Sequence, residues 1–365
     1  MMKKISLWLF VAPFFLLSCS PNTSDPNLHI TSAQQNRDPH GSDTTDPIAQ
    51  VLEDHEHSEA QLPAQNIKPF QPDPEAFIVS FYVPADDLTV RIDITSMPIH
   101  LREEDRYADY SLDCDGDGIF EQTHLHEDSK CIYEHPGHYH IQIKGVIPRI
   151  FLNSISDTID VEQWGNIPWK TMAFMGSDCP YLTISAKDAP DLSHVTSMAG
   201  MFWKAIYFNS PIDHWDVSNI TDMHDLFFYA ISFNQPLNAW DVSHVENIER
   251  MFYGATAFNS PIDRWNVSNV KNFLDMFAYA LSFNQSILNW RPGEANMRGM
   301  FLYAESFNQD LSHWSFRDKQ LISFFMGAKN FNHQPTLDKI QADIDDGLSS
   351  DCYLVDSLFD SAYVD

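Results

Sequence analysis

The sequence predicts an α+β repeat solenoid of about six 25-residue units, each a short helix plus an extended segment, preceded by a small β-sandwich. Three observations predict it. Trp215, Trp240, Trp265 and Trp290 stand 25 residues apart, and Trp314 follows after 24. Phe208, Phe233, Phe258, Phe283, Phe307 and Phe331 keep the same step, each followed by an asparagine: Asn209, Asn234, Asn259, Asn284, Asn308 and Asn332. A fixed period of this size means stacked supersecondary units. Upstream, from Phe77, the runs FIVSFYV, LTVRIDI and HYHIQIKGVI are separated by Pro, Asp and Gly. Short alternating or β-branched runs between such breakers are a strand signature.

Taken from the start, MMKKISLWLFVAPFFLLSC places two lysines before an apolar run that is too short for a stable span. Leu16-Leu17-Ser18-Cys19 resembles the bacterial lipobox. The resemblance implies a lipoprotein signal peptide over 1–18, with Cys19 acylated as the membrane anchor. Ser20, in place of an Asp, favours the outer membrane and the cell surface. Residues 19–70 are rich in Pro, Asp, Ser, Gln and Asn and lack aromatics before Phe70. They cannot bury enough surface to offset ordering entropy and are expected to form a disordered acidic tether. The cluster EDHEH at 53–57 is read as part of that solvated linker.

The sandwich is expected over 71–148. Outside the cytoplasm disulfides persist, and the four cysteines left after Cys19 admit three pairings. Cys114 and Cys131 lie close together in one β-rich segment and are expected to pair; Cys179 and Cys352 are expected not to be joined to each other. Asp113, Asp115 and Asp117 with Gly118 match the first half of an oxygen-rich calcium loop, with Glu121 as a water-bridged contact. His124 stands where a bidentate Glu would close that loop, and a tight turn between strands explains the same residues. His135, His138 and His140 have no recognised zinc spacing. YSLDCDGDGIFE (110–121), CIYEHPGHYHIQIKG (131–145) and Pro148 resemble the PKD-like module.

Within the array, Ile248, Met251, Phe252, Ala255 and Phe258 recur at helical spacing, as do Met223, Leu226, Phe227, Ala230 and Phe233. Each set reads as the buried stripe of a short helix. Ser218, Ser243 and Ser268 are the expected N-caps, and Ser243 with Glu246 a capping box. In FNSPIDHWDV the proline bars a central helical turn, so this part is extended. The pattern V-x-x-M-x-x-M-F-x-x-A-x-x-F-N-x-x-I/L-x-x-W-D-V-S resembles the BspA-like leucine-rich-repeat surface proteins, including the 25-residue mycoplasma lipoprotein repeats. VEQWGNIPW (161–169) and APDLSHVTSM (189–198) resemble that family's N-terminal cap. The division is then a cap over 149–190, repeats over 191–333 and an acidic tail over 334–365. The resemblance implies a non-catalytic surface protein of adhesion type. The fifth unit departs from the pattern, with Arg291-Pro292-Gly293 in place of Asp-Val-Ser and one residue lost.

Fifty-one acidic against 22 basic residues leave a net charge of −29. Affinity for nucleic acid comes mainly from cations on phosphates, so a nucleic-acid partner is not expected. No later run of about 20 apolar residues offers a bilayer span. The Trp column reads as core, and the Asn column as a ladder that satisfies backbone groups. Variable positions carry recognition in repeat proteins, which singles out Trp203, Lys204, Asp213, His214, Phe228, Tyr229, Asp263 and Arg264. G-x-S-x-G, H-E-x-x-H and Gly-rich phosphate loops are absent from the sequence. The reading is a lipid-anchored envelope protein that binds a protein or glycan, with calcium as the one cofactor suggested. Its alternative is a structural envelope protein that spaces or links layers without an external ligand.

Overall fold

The computed structural model describes residues 69–94, 106–156, 158–316 and 321–347. The signal sequence, Cys19, the EDHEH cluster and Cys352 lie outside the described residues. Strand β1 (Phe77–Val83) pairs antiparallel with β6 (Gly137–Val146) on one side and β7 (Ile159–Gln163) on the other. Strands β3 (Asp109–Asp113), β4 (Gln122–Leu125) and β8 (Thr183–Ile184) complete a six-stranded sheet in the order β4-β3-β6-β1-β7-β8. A two-stranded ribbon joins β2 (Thr89–Ile92) to β5 (Ser129–Ile132). Alternation explains why these runs are strands: Phe77, Val79, Phe81 and Val83 on β1 share a core with Ile141 and Ile143 on β6 and with Val90 and Ile92 on β2. Two strands of the large sheet, β7 and β8, come from the lead-in that precedes the Trp period.

The expected α+β repeat solenoid is not the fold. Regular strands hold the N-terminal sheets, and among the described residues the one α-helix is α1 (Gln334–Gly347), beyond the repeats. The units themselves are chains of turns joined by isolated parallel bridges, Ser197–Asp222, Asp222–Asn247, Asn247–Asn272 and Asn272–Asn296.

The stripe that suggested a helix is buried as expected, with Met223, Leu226, Phe227, Ala230 and Phe233 fully enclosed. Its backbone is different. Asp225 and Tyr229 sit at φ 57° and 52°, and Arg250, Asp275, Tyr279 and Tyr303 repeat the left-handed conformation in later units. An α-helix cannot pass through such residues, each of which costs roughly 1–2 kcal/mol. The hydrogen bonds show what offsets that cost. Leu226, Phe228 and Ala230 N–H donate three residues back, as a tight turn would. Met223, Asp225, Phe227 and Tyr229 N–H donate instead to the carbonyls of Asn247, Glu249, Met251 and Tyr253 in the next unit. Half of the donors of each turn run therefore serve the stack rather than the unit. Successive three-residue turns bury the same i, i+3, i+4 positions as a helix, which is why the spacing misled.

The serines expected as N-caps are likewise reassigned. Ser218 and Ser243 N–H donate to the Asp216 and Asp241 carboxylates, at 3.1 and 3.0 Å, and Ser268 N–H donates to Asn266 Oδ1 at 3.2 Å. These are Asx turns, not helix caps. Glu246 does not close a capping box; its N–H donates to the Thr221 carbonyl and its carboxylate pairs with Lys271 in the next unit.

The remaining columns fasten the stack. Phe202, Phe227, Phe252, Phe277, Phe301 and Phe325 stack with centroids 5.4–5.8 Å apart. Phe208 to Phe331 form a second ladder at 5.7–6.1 Å. The five tryptophans are core residues, each at most 3% exposed. Trp240, Trp265 and Trp290 donate Nε1–H to carbonyls of the preceding unit at 3.0 Å. The Asn column is a ladder: the Oδ1 of Asn209, Asn234, Asn259, Asn284 and Asn308 accepts the N–H of the next Asn at 2.8–3.0 Å. Each such bond contributes about 0.5–1.5 kcal/mol net. The same inter-unit bonds already begin in the lead-in, where Met172, Phe174, Gly176 and Asp178 N–H donate to Ser197, Ala199, Met201 and Trp203 carbonyls. At the other end α1 lies against the last unit. Thr336 Oγ1 accepts the Leu311 N–H and the Asp343 carboxylate accepts the Phe316 N–H.

Candidate functional site

Two places collect the residues singled out in the sequence: the turn after β3 and the outer columns of the repeats. At the turn, Cys114 and Cys131 form the expected disulfide, with Cα atoms 5.6 Å apart. Asp113, at the end of β3, is fully buried, a position that requires its charge to be compensated. Its carboxylate accepts the N–H groups of Asp115, Gly116 and Gly118 and the Gln142 side-chain amide, at 2.7–3.2 Å. Gly116 and Gly118 have φ of +74° and +83°, which folds their N–H groups inward onto Asp113.

Asp115 and Asp117 accept the N–H groups of Asp117 and Ile119, and Glu121 accepts that of Cys114. One oxygen from each of Asp113, Asp115, Asp117 and Glu121 lies within 4.8 Å of the others, so these four could hold a divalent cation. Asp113 already serves four donors. His124 takes no part, since its ring lies 3.3 Å from the Asp109 carboxylate. Next to the loop, Tyr133 donates to the Cys114 carbonyl at 2.8 Å. Burial pushes its phenol pKa well above the usual value, with Tyr139 and the carboxylates of Asp115, Asp113 and Glu121 adding to the effect.

The histidines of β6 and its approach are used separately. His140 stacks on Phe70 at 4.0 Å and faces Glu162 at 3.4 Å, whereas His138 meets the Tyr82 ring.

Of the eight proposed recognition residues, Trp203, Phe228 and Lys204 lie in two adjacent columns. Trp203 is half-buried and stacks on Phe228 at 5.9 Å, and Lys204 Nζ lies 4.3 Å over the Trp203 ring. Phe228 in turn stacks on Tyr253 at 4.9 Å, and the row continues through Tyr279 and Tyr303. Stacked rings cover one another's faces and present edges outward, so this row is partly an outer fastening of the stack. Tyr229 is only 7% exposed and lies over Gly254. It is a packing residue, and a surface role for it does not hold. Tyr253, Tyr279 and Tyr303 were missed, because only their stacking on the earlier rings marks them.

Asp213 and Asp263 are half-buried, with His214 and Arg264 beside them exposed. They stand on the other side of the repeat, just before each Trp, and the structure does not bring them to the aromatic row. Here the units differ in charge. Asp191, Asp216 and Asp241 occupy one column as Asx-turn acceptors, and donation from the following Ser hydroxyl and N–H holds each carboxyl below its usual pKa. Asn266 follows, and then Arg291. The column therefore reverses its charge between the third and fifth units. Arg291 Nη1 is tied to the carbonyls of Leu288 and Trp290 at 2.7 and 2.8 Å. It shares a cavity of about 400 Å³ with Asp263, Arg264 and Asn289.

A further charge group, half-buried around the buried Asp225, lies on the turn run. Arg250 donates to Asp225 at 2.8 Å, and His224 faces the Asp222 carboxylate at 2.8 Å. The Asp222 hydrogen bond raises the His224 pKa against the opposing effect of burial.

Two overlapping stretches, 170–290 and 240–340, match a family described as a Mycoplasma protein of unknown function, DUF285. The DUF285-like portion begins where the first inter-unit backbone bonds begin and ends within α1. It fits the mycoplasma-type repeat surface proteins that the sequence resembles. No curated protein matches the chain. No solved structure matches it.

Proposed function

We propose that the chain is a lipid-anchored protein of the cell envelope, held at the outer surface through Cys19, whose repeats bind a protein or glycan without catalysis. The observation that carries this reading is the contrast between columns. Inward positions keep the same Phe, Trp and Ala from unit to unit, whereas Trp203, Lys204, Phe228, Asp213, His214, Asp263 and Arg264 vary along the stack. A scaffold with an invariant interior and a variable exterior is suited to recognition by surface positions. The DUF285 match supports a surface role for the repeats, and the N-terminal sheets are read as the PKD-like module that often precedes such repeats.

Protease shaving of intact cells tests it, together with a Cys19→Ala variant and a pull-down with the full chain as bait. The reading expects the repeats to be cleaved from intact cells and the variant to lose membrane partition. A protein protected in intact cells and released only after lysis would refute surface exposure and favour a spacer between layers.

A further inference from the structure

We infer that the cavity between the fourth and fifth repeats, walled by Arg264 and Arg291, binds an anionic sugar through its carboxylate or sulfate group. This rests on the reading of the repeats as a recognition surface and names the ligand class. The first observation is charge. In a chain of net charge −29, some repeat cations are spent on carboxylates, as in Lys271 with Glu246, Lys329 with Glu305 and Arg250 with Asp225. Among the described residues no carboxylate pairs with Arg264 or Arg291. Asp263, in the same wall, has its Oδ1 engaged by the Asn238 side-chain amide at 2.8 Å. Both arginines line the cavity without a carboxylate partner.

The second observation is how the site arises. The repeat would place an Asp at position 291 to accept the N–H two residues on, as Asp216 and Asp241 do. Pro292-Gly293 replaces that Asx turn, and Arg291 is instead anchored by Nη1 on two carbonyls of its own turn. A guanidinium held on one edge keeps its other N–H groups in a fixed direction, which suits bidentate recognition of a planar oxyanion. Stacking of neighbouring units then sets Arg264 beside it.

The third is size and lining. About 400 Å³ lies in the lower part of the ~300–1,000 Å³ range of small-ligand sites. It is far from the face of about 800 Å² that a folded partner needs. Besides the two arginines, the lining holds Asp263, Asn266 and Asn289 and the apolar Trp265 and Val267. A sugar ring, with adjacent hydroxyls on an apolar body, suits that mixture of polar and apolar groups.

Calorimetric titration of the full chain with a hyaluronan tetrasaccharide (carboxylate only) and a heparin hexasaccharide (sulfate and carboxylate) tests the site. A chitin trisaccharide and poly-glutamate serve as neutral and acidic-peptide controls. Saturable binding of at least one anionic saccharide is expected, weakening about tenfold or more in Arg264→Gln and in Arg291→Gln, the loss of a charge-assisted pair. Arg298→Gln, an exposed arginine outside the cavity, should leave it unchanged. No saturable saccharide binding overturns the inference, as does equal loss in Arg298→Gln, which would mean diffuse charge attraction. Binding of poly-glutamate with the same sensitivity overturns the sugar assignment. A surface-bound partner captured equally well by Arg264→Gln and Arg291→Gln would sink this site while leaving the recognition reading standing.

Discussion

Replacing Gly254 by alanine separates a turn-built repeat from a helical one by the sign of a single number. Gly254 lies between Phe252 and Ala255, inside the stretch whose spacing reads as a helix. Were it helical, alanine would stabilise the protein by about 0.8–1 kcal/mol. In the structure Gly254 has φ +68°, and an added Cβ would stand 2.6 Å from Tyr229 Cδ1 and 2.7 Å from Cε1. The left-handed conformation costs a non-glycine residue roughly 1–2 kcal/mol. Displacing the Tyr229 ring, which packs on Phe228 and Tyr253, forfeits about 0.5–1.5 kcal/mol more. Lower entropy of the unfolded chain returns about 0.4–1 kcal/mol. The net expectation is a loss of about 0.5–3 kcal/mol. Urea denaturation read by tryptophan fluorescence measures it, with the slope required to stay that of the wild type. Gly293→Ala is the control, because its Cβ would meet only the Ser268 carbonyl at 3.5 Å, and it should be neutral or mildly stabilising. An increase in the Gly254→Ala midpoint would refute the left-handed turn.

Other outcomes follow from the same geometry. Phe252→Ala removes a ring stacked on Phe227, Phe258 and Phe277 and should cost about 3–5 kcal/mol in the same assay; a loss below about 1.5 kcal/mol would mean the column is not core. Reduction of Cys114–Cys131, which closes a loop with a sequence separation of 17, should lower stability by about 3 kcal/mol, read as a drop in urea midpoint. A calcium loop at Asp113, Asp115, Asp117 and Glu121 predicts binding at about 0.1–1 mM, seen as a higher melting temperature in millimolar calcium and abolished in Asp117→Asn. An unchanged wild-type melting temperature would leave the loop as a hydrogen-bonded turn. His224, whose folded pKa is raised, contributes stability that is complete below its unfolded value near 6.5 and is lost as pH rises through the folded value. His224→Gln should therefore flatten the decline in stability as pH rises above the unfolded value, and an identical slope in the variant would discount the Asp222 contact.

What was legible in the sequence was whatever repeats along it. The burial of Trp240 and Phe252, the hydrogen-bonding of Asn234 and the pairing of Cys114 with Cys131 each follow from spacing or composition, and the structure has all of them. The conformation of the unit was not legible. The i, i+3, i+4 burial of Met223, Leu226 and Phe227 is common to a helix and to consecutive turns. The deciding residues, Asp225 and Tyr229, have no composition that announces a positive φ. Only the carbonyls of a neighbouring unit, unseen in a single period, make that backbone favourable. The candidate site shows the same division. Arg291 stood out as an irregularity, but its place beside Arg264 comes from stacking and not from nearness in sequence.

The α1 helix has a consequence for how such a protein can change over generations. Interior units form the same bonds to the unit before and the unit after, so a duplicated or deleted 25-residue block finds matching partners on both sides. The fifth unit, one residue short, still keeps the Asn272–Asn296 bridge, so block length is forgiving at the turn. The final unit is different, because Leu311 and Phe316 give their N–H groups to Thr336 and Asp343. Copy number is thus free to drift in the middle while the terminator travels with the last block. The length of the stack becomes a heritable variable that leaves the termination chemistry untouched.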